Sequence, residues 1–271
     1  MHLDKLTPRT GTEITDLDLA TATPGDLADI RQMLNERLVL VFRDQHLTRE
    51  QHKALGQYFG TGQLHRHALT REGDPEVLVV KTTAKSKYTA GEGWHTDVSC
   101  DPNPIAVSML YLTEMPEEGG GDTVYTNMYL AYETLSAPVK ELIAQLTAIH
   151  DGALPYKGSY GIEPEGMAYN RTEHPVVLAH PETGRKILWV NRGFTTNLKG
   201  VTRLEGRHLL EMLFSHIESS PALQCRVRWQ PNTLVMWDNI STQHHACWDY
   251  FPHTRYAERV SSVGGMLSTA A

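Results

Sequence analysis

The second half of this chain is written in short apolar runs separated by turn residues, and that pattern restricts the fold more than any other feature. "PVVLAHPETGRKILWVN" holds two apolar runs joined by a turn containing Gly184, and "CRVRWQPNTLVMWDN" holds two more joined by Pro231-Asn232. Gly and Pro-Asn at such places turn the chain back, so each stretch predicts a β-hairpin. Helices are expected mainly earlier. "GDLADIRQMLNERL" places Leu27, Ile30, Met33 and Leu34 on one helical face, and "TREQHKALGQYFG" opens with a Thr48/Gln51 capping box and closes at Gly60. Between them "LVLVFRDQ" reads as a short apolar strand. "AYETLSAPVKELIAQL" and "TRLEGRHLLEMLFSHI" predict two further helices, the second with a Thr202/Glu205 capping box and a stripe of Leu209, Leu210, Leu213, Phe214 and Ile217. Nothing alternates strand with helix in the regular way a parallel sheet requires. The expectation is a mainly β fold with flanking helices, built as a sandwich or jelly roll. With 271 residues and no internal repeat, low-complexity segment or Pro/Gly-rich linker, residues 1–271 read as a single domain.

Composition narrows the function. Apolar residues at 40% and charged residues at 21% describe a globular protein with material for a real core. A net charge of -7 and the lack of any polybasic run argue against a nucleic-acid partner, because phosphate binding needs clustered Lys and Arg. Cys100, Cys225 and Cys247 are odd in number and widely spaced, which suits neither a disulfide framework nor a C-x-x-C zinc site. The N-terminal "MHLDKLTPRTGTEITDLDL" lacks a basic region followed by an apolar run, and no segment approaches the roughly 20 apolar residues of a membrane span. A cytoplasmic protein without a membrane partner is expected.

The chemistry centres on "GEGWHTDVSC", where His95 and Asp97 stand two residues apart. On an extended strand such residues project from one face and can converge on one point. By itself the pair is compatible with two ordinary solvent-facing residues. One imidazole and one carboxylate on a common face also lack only a second imidazole to form the two-histidine, one-carboxylate triad of non-haem Fe(II) oxygenases. Candidates lie in "MWDNISTQHHACWDYFPHTRYAERVSSVGG": His244 and His245 are adjacent, so on an extended backbone only one of them faces a shared site. The residues alone leave the choice open.

"WHTDV", "GGDTVYTN", "HPETGRKILWVNRGFTT", "RVRWQPNTLVMWDN" and "TQHHACWDYFPHTRYAERV", in this order, resemble the taurine dioxygenase/TfdA family of Fe(II)- and 2-oxoglutarate-dependent dioxygenases, and the likeness begins at "GTEITDLDL" and "LVLVFRDQHLT". The resemblance implies a double-stranded β-helix (jelly roll) core, with Fe(II), 2-oxoglutarate and O2 as the cofactor set and succinate and CO2 as coproducts. It selects His244 as the third metal ligand beside His95 and Asp97. It also implies that Arg255, eleven positions beyond His244, holds the far carboxylate of 2-oxoglutarate, with Thr123 of "GGDT" as a hydroxyl donor. A planar guanidinium grips a carboxylate bidentately, which is the physical reason for an arginine there.

Substrate contacts follow from the same resemblance: His67, Val98, Tyr156, Phe194 and Arg259. A second fixed cation points to a small anionic organic substrate of sulfonate, sulfate ester or aryloxyalkanoate type, although Arg259 in a last strand could equally serve a structural ion pair. The family's Asp-Asn pair ahead of the triad is replaced by Ala90 and Gly91, which removes the polar partners of an amine such as that of taurine. A homo-oligomer would be in keeping with the family. The alternatives are taurine dioxygenase proper within the same class and, from a rival class, a non-redox metal protein, a zinc hydrolase or a binding module of the same fold, since zinc accepts the same ligands. Arg255 together with Thr123 separates the two classes, because a hydrolase has no evident need for them.

Overall fold

The computed structural model describes residues 1–62, 74–161, 168–264 and 267–269. The chain begins with β1 (His2–Lys5), β2 (Thr12–Thr15), α1 (Pro24–Arg37), β3 (Val39–Phe42), α2 (Arg49–Phe59) and β4 (Thr61–Gly62). It continues through β5 (Leu78–Thr82), β6 (Ile105–Glu114), β7 (Thr123–Asn127), α3 (Met128–Glu133), α4 (Ala137–Ile143), β8 (Thr147–Asp151), β9 (Arg171–Pro175), β10 (Val177–Ala179), β11 (Lys186–Leu188) and β12 (Thr195–Lys199). It ends with α5 (Arg203–Glu218), β13 (Gln224–Val227), β14 (Thr233–Asp238), β15 (Thr242–Ala246), β16 (Arg255–Val263) and β17 (Ser268–Thr269).

A large sheet runs in the order β1-β2-β3-β14-β6-β16-β4, with β5 also on β16, and a smaller one in the order β13-β7-β15. The central strands of the large sheet are apolar on both faces, and alternate residues serve different cores. Leu40, Phe42, Leu234, Met236, Val107 and Met109 meet Ile30 and Leu34 of α1 and Leu55 and Phe59 of α2. Val39, Val41, Val235, Trp237 and Leu112 belong to the other core, shared with Tyr125 and Val227 of the small sheet. The chain passes between the two sheets from β6 to β7, and again from β13 to β14, β15 and β16. That alternation makes the core a jelly roll, as expected.

Local sequence explains the flanking helices. The capping boxes at Thr48/Gln51 and Thr202/Glu205 are formed, and Thr23 with Asp26 makes a third at α1. Two expectations need correction. "AYETLSAPVKELIAQL" is two short helices, not one, because the Thr134 hydroxyl caps the Leu130 carbonyl at 2.7 Å and Pro138 is tolerated only in a helix's first turn. "CRVRWQPNTLVMWDN" is no hairpin either: β13 pairs with β7 while β14 pairs with β3 and β6, so the Pro231-Asn232 turn carries the chain from one sheet to the other. In the second case both predicted strands form, and only their partners differ. The other predicted hairpin, β10 with β11 around Gly184, is present.

Candidate active site

His95 and Asp97 are not on a regular strand. His95 makes a single bridge to His244, its N–H donating to the His244 carbonyl at 3.1 Å and its carbonyl accepting from the His244 N–H at 2.8 Å. The chain turns at once, with Val98 in the left-handed region at φ 49°. The two side chains therefore converge through a turn, not through strand alternation as expected. Asn239 holds that turn. Its Oδ1 accepts from the Asp97 N–H at 3.0 Å, while its Nδ2 donates to the carbonyls of Asp97 at 3.1 Å and Ile105 at 2.8 Å. The Thr96 hydroxyl adds a bond to the Thr242 carbonyl at 3.0 Å.

On β15 the adjacent histidines part. His244 packs against Tyr125 and Trp237 in the interior, whereas the His245 ring meets Trp94 at 5.7 Å. The Nε2 atoms of His95 and His244 lie 3.7 and 3.9 Å from the two Asp97 oxygens, and the three candidate ligand atoms all fall within 4.8 Å of one another. His95 Nδ1 lies 2.9 Å from the Gly93 carbonyl, which can only accept, so this contact orients the ring and leaves Nε2 facing Asp97. Gly193 makes room for this ring's backbone: a Cβ there would stand 2.7 Å from the His95 Cβ.

Electrostatics leave Asp97 and His244 in the forms that ligate metals. Burial opposes ionisation of Asp97, but Arg259, His244 and His95 outweigh it and hold its carboxyl well below the usual range. Burial, with His95 and Arg259 adding to it, holds the His244 imidazole neutral far below its ordinary pKa. Both Asp97 oxygens have protein partners, Arg259 Nη1 at 2.5 Å on one and the Ser108 hydroxyl at 3.1 Å on the other. Ser108 in turn meets Ser261 at 3.1 Å.

A cavity of about 680 Å³ opens beside the triad and brings together Thr123, Arg255, Arg259, Val98, Tyr156 and Phe194, along with Ala90 and Gly91. Arg255 and Arg259 stand four apart on β16, hence on one face. Arg255 is 5% exposed, burial lowers its pKa, and no carboxylate pairs with it among the described residues. Arg259 already pairs with Asp97, so the ion-pair alternative for it describes a real contact, although its Nε is buried without a partner. Tyr156 stacks on Tyr169 at 5.3 Å and meets Phe194 edge-on at 6.3 Å, forming an aromatic wall. His67 lies outside the described residues. Sequence reasoning missed Asn239, Ser108 and Ser261. The two serines had a signal, being hydroxyls within the apolar strands "IAVSMLYLTE" and "RYAERVSSV".

The sequence profile of the family described as taurine catabolism dioxygenase TauD, TfdA family matches residues 2–261. An alpha-ketoglutarate-dependent sulfate ester dioxygenase of Pseudomonas putida is 30% identical over 260 residues, covering 92% of this chain and 83% of that one. A taurine dioxygenase from Burkholderia xenovorans superposes with a TM-score of 0.85 at 34% identity, over 99% of this chain and 91% of that one. The structure of AAD-2 in complex with Mn(II) and N-oxalylglycine superposes with a TM-score of 0.80 at 25% identity, over 100% and 99% of the two chains. With this agreement along its length, the chain belongs to the TauD/TfdA family and is a 2-oxoglutarate (alpha-ketoglutarate)-dependent dioxygenase, an oxidoreductase.

Proposed function

We propose that this single-domain enzyme uses Fe(II), held by His95, Asp97 and His244, to hydroxylate a small anionic organic substrate whose far end is bulkier and less polar than the amine of taurine. The donor set fits: two imidazoles and one ionised carboxylate already face one another. When bound, such an iron supplies the O2 activation that couples decarboxylation of 2-oxoglutarate, to succinate and CO2, with substrate hydroxylation.

The observation that carries this reading is Arg255. A guanidinium buried without a carboxylate partner among the described residues, in the same cavity as the triad, is costly unless an anion completes it. The far carboxylate of 2-oxoglutarate is that anion, and the Thr123 hydroxyl donates to it. Arg259 keeps Asp97 ionised and presents its remaining N–H groups to the substrate anion. Val98, Tyr156 and Phe194 surround the rest of the substrate and exclude water. Ala90 and Gly91 leave space but offer no side-chain partner to an ammonium, which would be expensive to bury unpaired. Relatives named for taurine and for sulfate esters support the anionic class. The test is O2 uptake with succinate measured alongside, across taurine, longer alkyl sulfonates, alkyl sulfates, aryloxyalkanoates and neutral analogues of each. Best turnover of an anion larger than taurine is expected; preference for taurine, or for a neutral or cationic compound, contradicts the proposal.

A further inference from the structure

Trp229 follows β13 and is 4% exposed, so its position in the sequence suggests only a core residue. Its contacts suggest more. The indole Nε1–H donates to the Thr123 hydroxyl oxygen at 3.0 Å. A hydroxyl has one proton, and an oxygen that accepts from Trp229 keeps that proton free to be donated in another direction. The face of the same ring lies 5.2 Å from the Arg255 guanidinium carbon. That is within the range where a cation is attracted to an indole face, and desolvation strengthens the attraction. On another side Gly121, at φ 67°, comes close to the arginine: a Cβ built there would stand 3.1 Å from the Cδ and Nε of Arg255 and 3.1 Å from the Tyr250 ring. An arginine stem is flexible, so a guanidinium with no carboxylate partner among the described residues needs such walls to keep one orientation.

We propose that Trp229 and Gly121 are positioning residues for 2-oxoglutarate, the indole aiming the Thr123 hydroxyl and backing the Arg255 guanidinium while the bare glycine leaves the arginine room to lie in place. This rests on the assignment of Arg255 and Thr123 to the cosubstrate's far carboxylate. Neither residue touches the cosubstrate in this account; both act through the two that do.

The experiment is calorimetric titration of 2-oxoglutarate into Mn(II)-loaded protein, with Mn(II) affinity measured separately. Trp229→Phe keeps an aromatic ring beside the guanidinium while replacing the indole with a smaller ring that has no N–H, and loss of the hydrogen bond to Thr123 weakens binding by about three- to tenfold. Gly121→Ala, which does not depend on Trp229→Phe folding, weakens it in the same direction. Mn(II) affinity and the Michaelis constant of the primary substrate stay at wild-type values, which general damage to the core would not allow. In a Thr123→Ala background Trp229→Phe adds less than about a twofold loss, because its hydrogen-bond acceptor is already gone. Wild-type 2-oxoglutarate affinity in both single variants overturns the proposal, as does a parallel loss of Mn(II) affinity. Failure of the wild-type Mn(II) protein to bind 2-oxoglutarate overturns the underlying assignment instead.

Discussion

Replacing Asn239 by alanine tests whether the ligand turn is held as described. The side chain is fully buried and makes three hydrogen bonds to main-chain groups: the Asp97 N–H, the Asp97 carbonyl and the Ile105 carbonyl. Asn239→Ala leaves those three groups without their partner, and a buried group left unsatisfied costs about 1–3 kcal/mol. A water admitted to the vacated space satisfies one or more of them, so a net destabilisation of roughly 2–6 kcal/mol is expected. The loss falls on the residue that carries the carboxylate ligand. Outer partners of metal ligands are worth about 10–100-fold in metal affinity, and Asn239→Ala should weaken Fe(II) or Mn(II) binding by that much. Urea unfolding of the metal-free protein reads the first effect, and anaerobic metal titration of folded protein at low denaturant reads the second. An unchanged urea midpoint together with unchanged metal affinity would refute the reasoning, since it would mean that the Asp97 turn holds its shape without Asn239.

Further outcomes follow from the same geometry. His244→Ala should abolish metal binding while His245→Ala retains most of it, because the two rings leave β15 on opposite sides; a metal-free His245 variant beside a metal-loaded His244 variant would reverse the assignment. Arg259→Ala removes the partner of Asp97 and should weaken metal binding; at saturating metal it should raise the Michaelis constant of the primary substrate by about 10–100-fold, the worth of one charge-assisted contact, while moving that of 2-oxoglutarate by less than about twofold, and equal effects on both under those conditions would count against separate anion sites. His150 is buried beside Ser99, and burial lowers its pKa to about 3. Its folded pKa lies below the ordinary 6.5, so the unfolded chain takes up the proton first as pH falls, and the stability present above 6.5 is lost on the way toward about 3. Between pH 6.5 and 5 this contribution falls on the order of 2 kcal/mol, so the urea midpoint should drop across that interval and His150→Gln should flatten the drop; an unaltered slope in the variant would contradict the assignment.

Much of this architecture is legible because it depends on local periodicity. Short apolar runs such as "LVLVF" and "TLVMW" need no knowledge of partners to predict a strand, and Thr-x-x-Gln or Thr-x-x-Glu predicts a helix start wherever it packs. Partners are a different matter. The Pro231-Asn232 turn reads as a hairpin because sequence shows the reversal and not the sheet that receives it. The site follows the same division. His95, Asp97, His244, Thr123 and Arg255 were identifiable through a family likeness that carries fixed spacings. Asn239, Ser108 and Trp229 act through contacts across 142, 11 and 106 positions of sequence, and such contacts appear only once the sheets are stacked. Arg259 shows the limit most clearly: the family likeness makes it a substrate cation and its sequence leaves a structural ion pair open, and only the folded chain reveals that Asp97 is its partner.

The central claim is that three ligands and one arginine build a site for ferrous iron and a chelating dicarboxylate. It is tested most directly by adding Fe(II) and then 2-oxoglutarate to the protein without O2 and recording the visible spectrum. A keto acid chelating Fe(II) gives a weak charge-transfer band that Zn(II) cannot give. The account predicts that band at saturation in the wild type, none in Asp97→Ala, and in Arg255→Ala a band that needs about one to two decades more 2-oxoglutarate. A protein that binds Fe(II) yet stays colourless at every concentration of 2-oxoglutarate, or an Arg255→Ala titration that overlays the wild type, would contradict it.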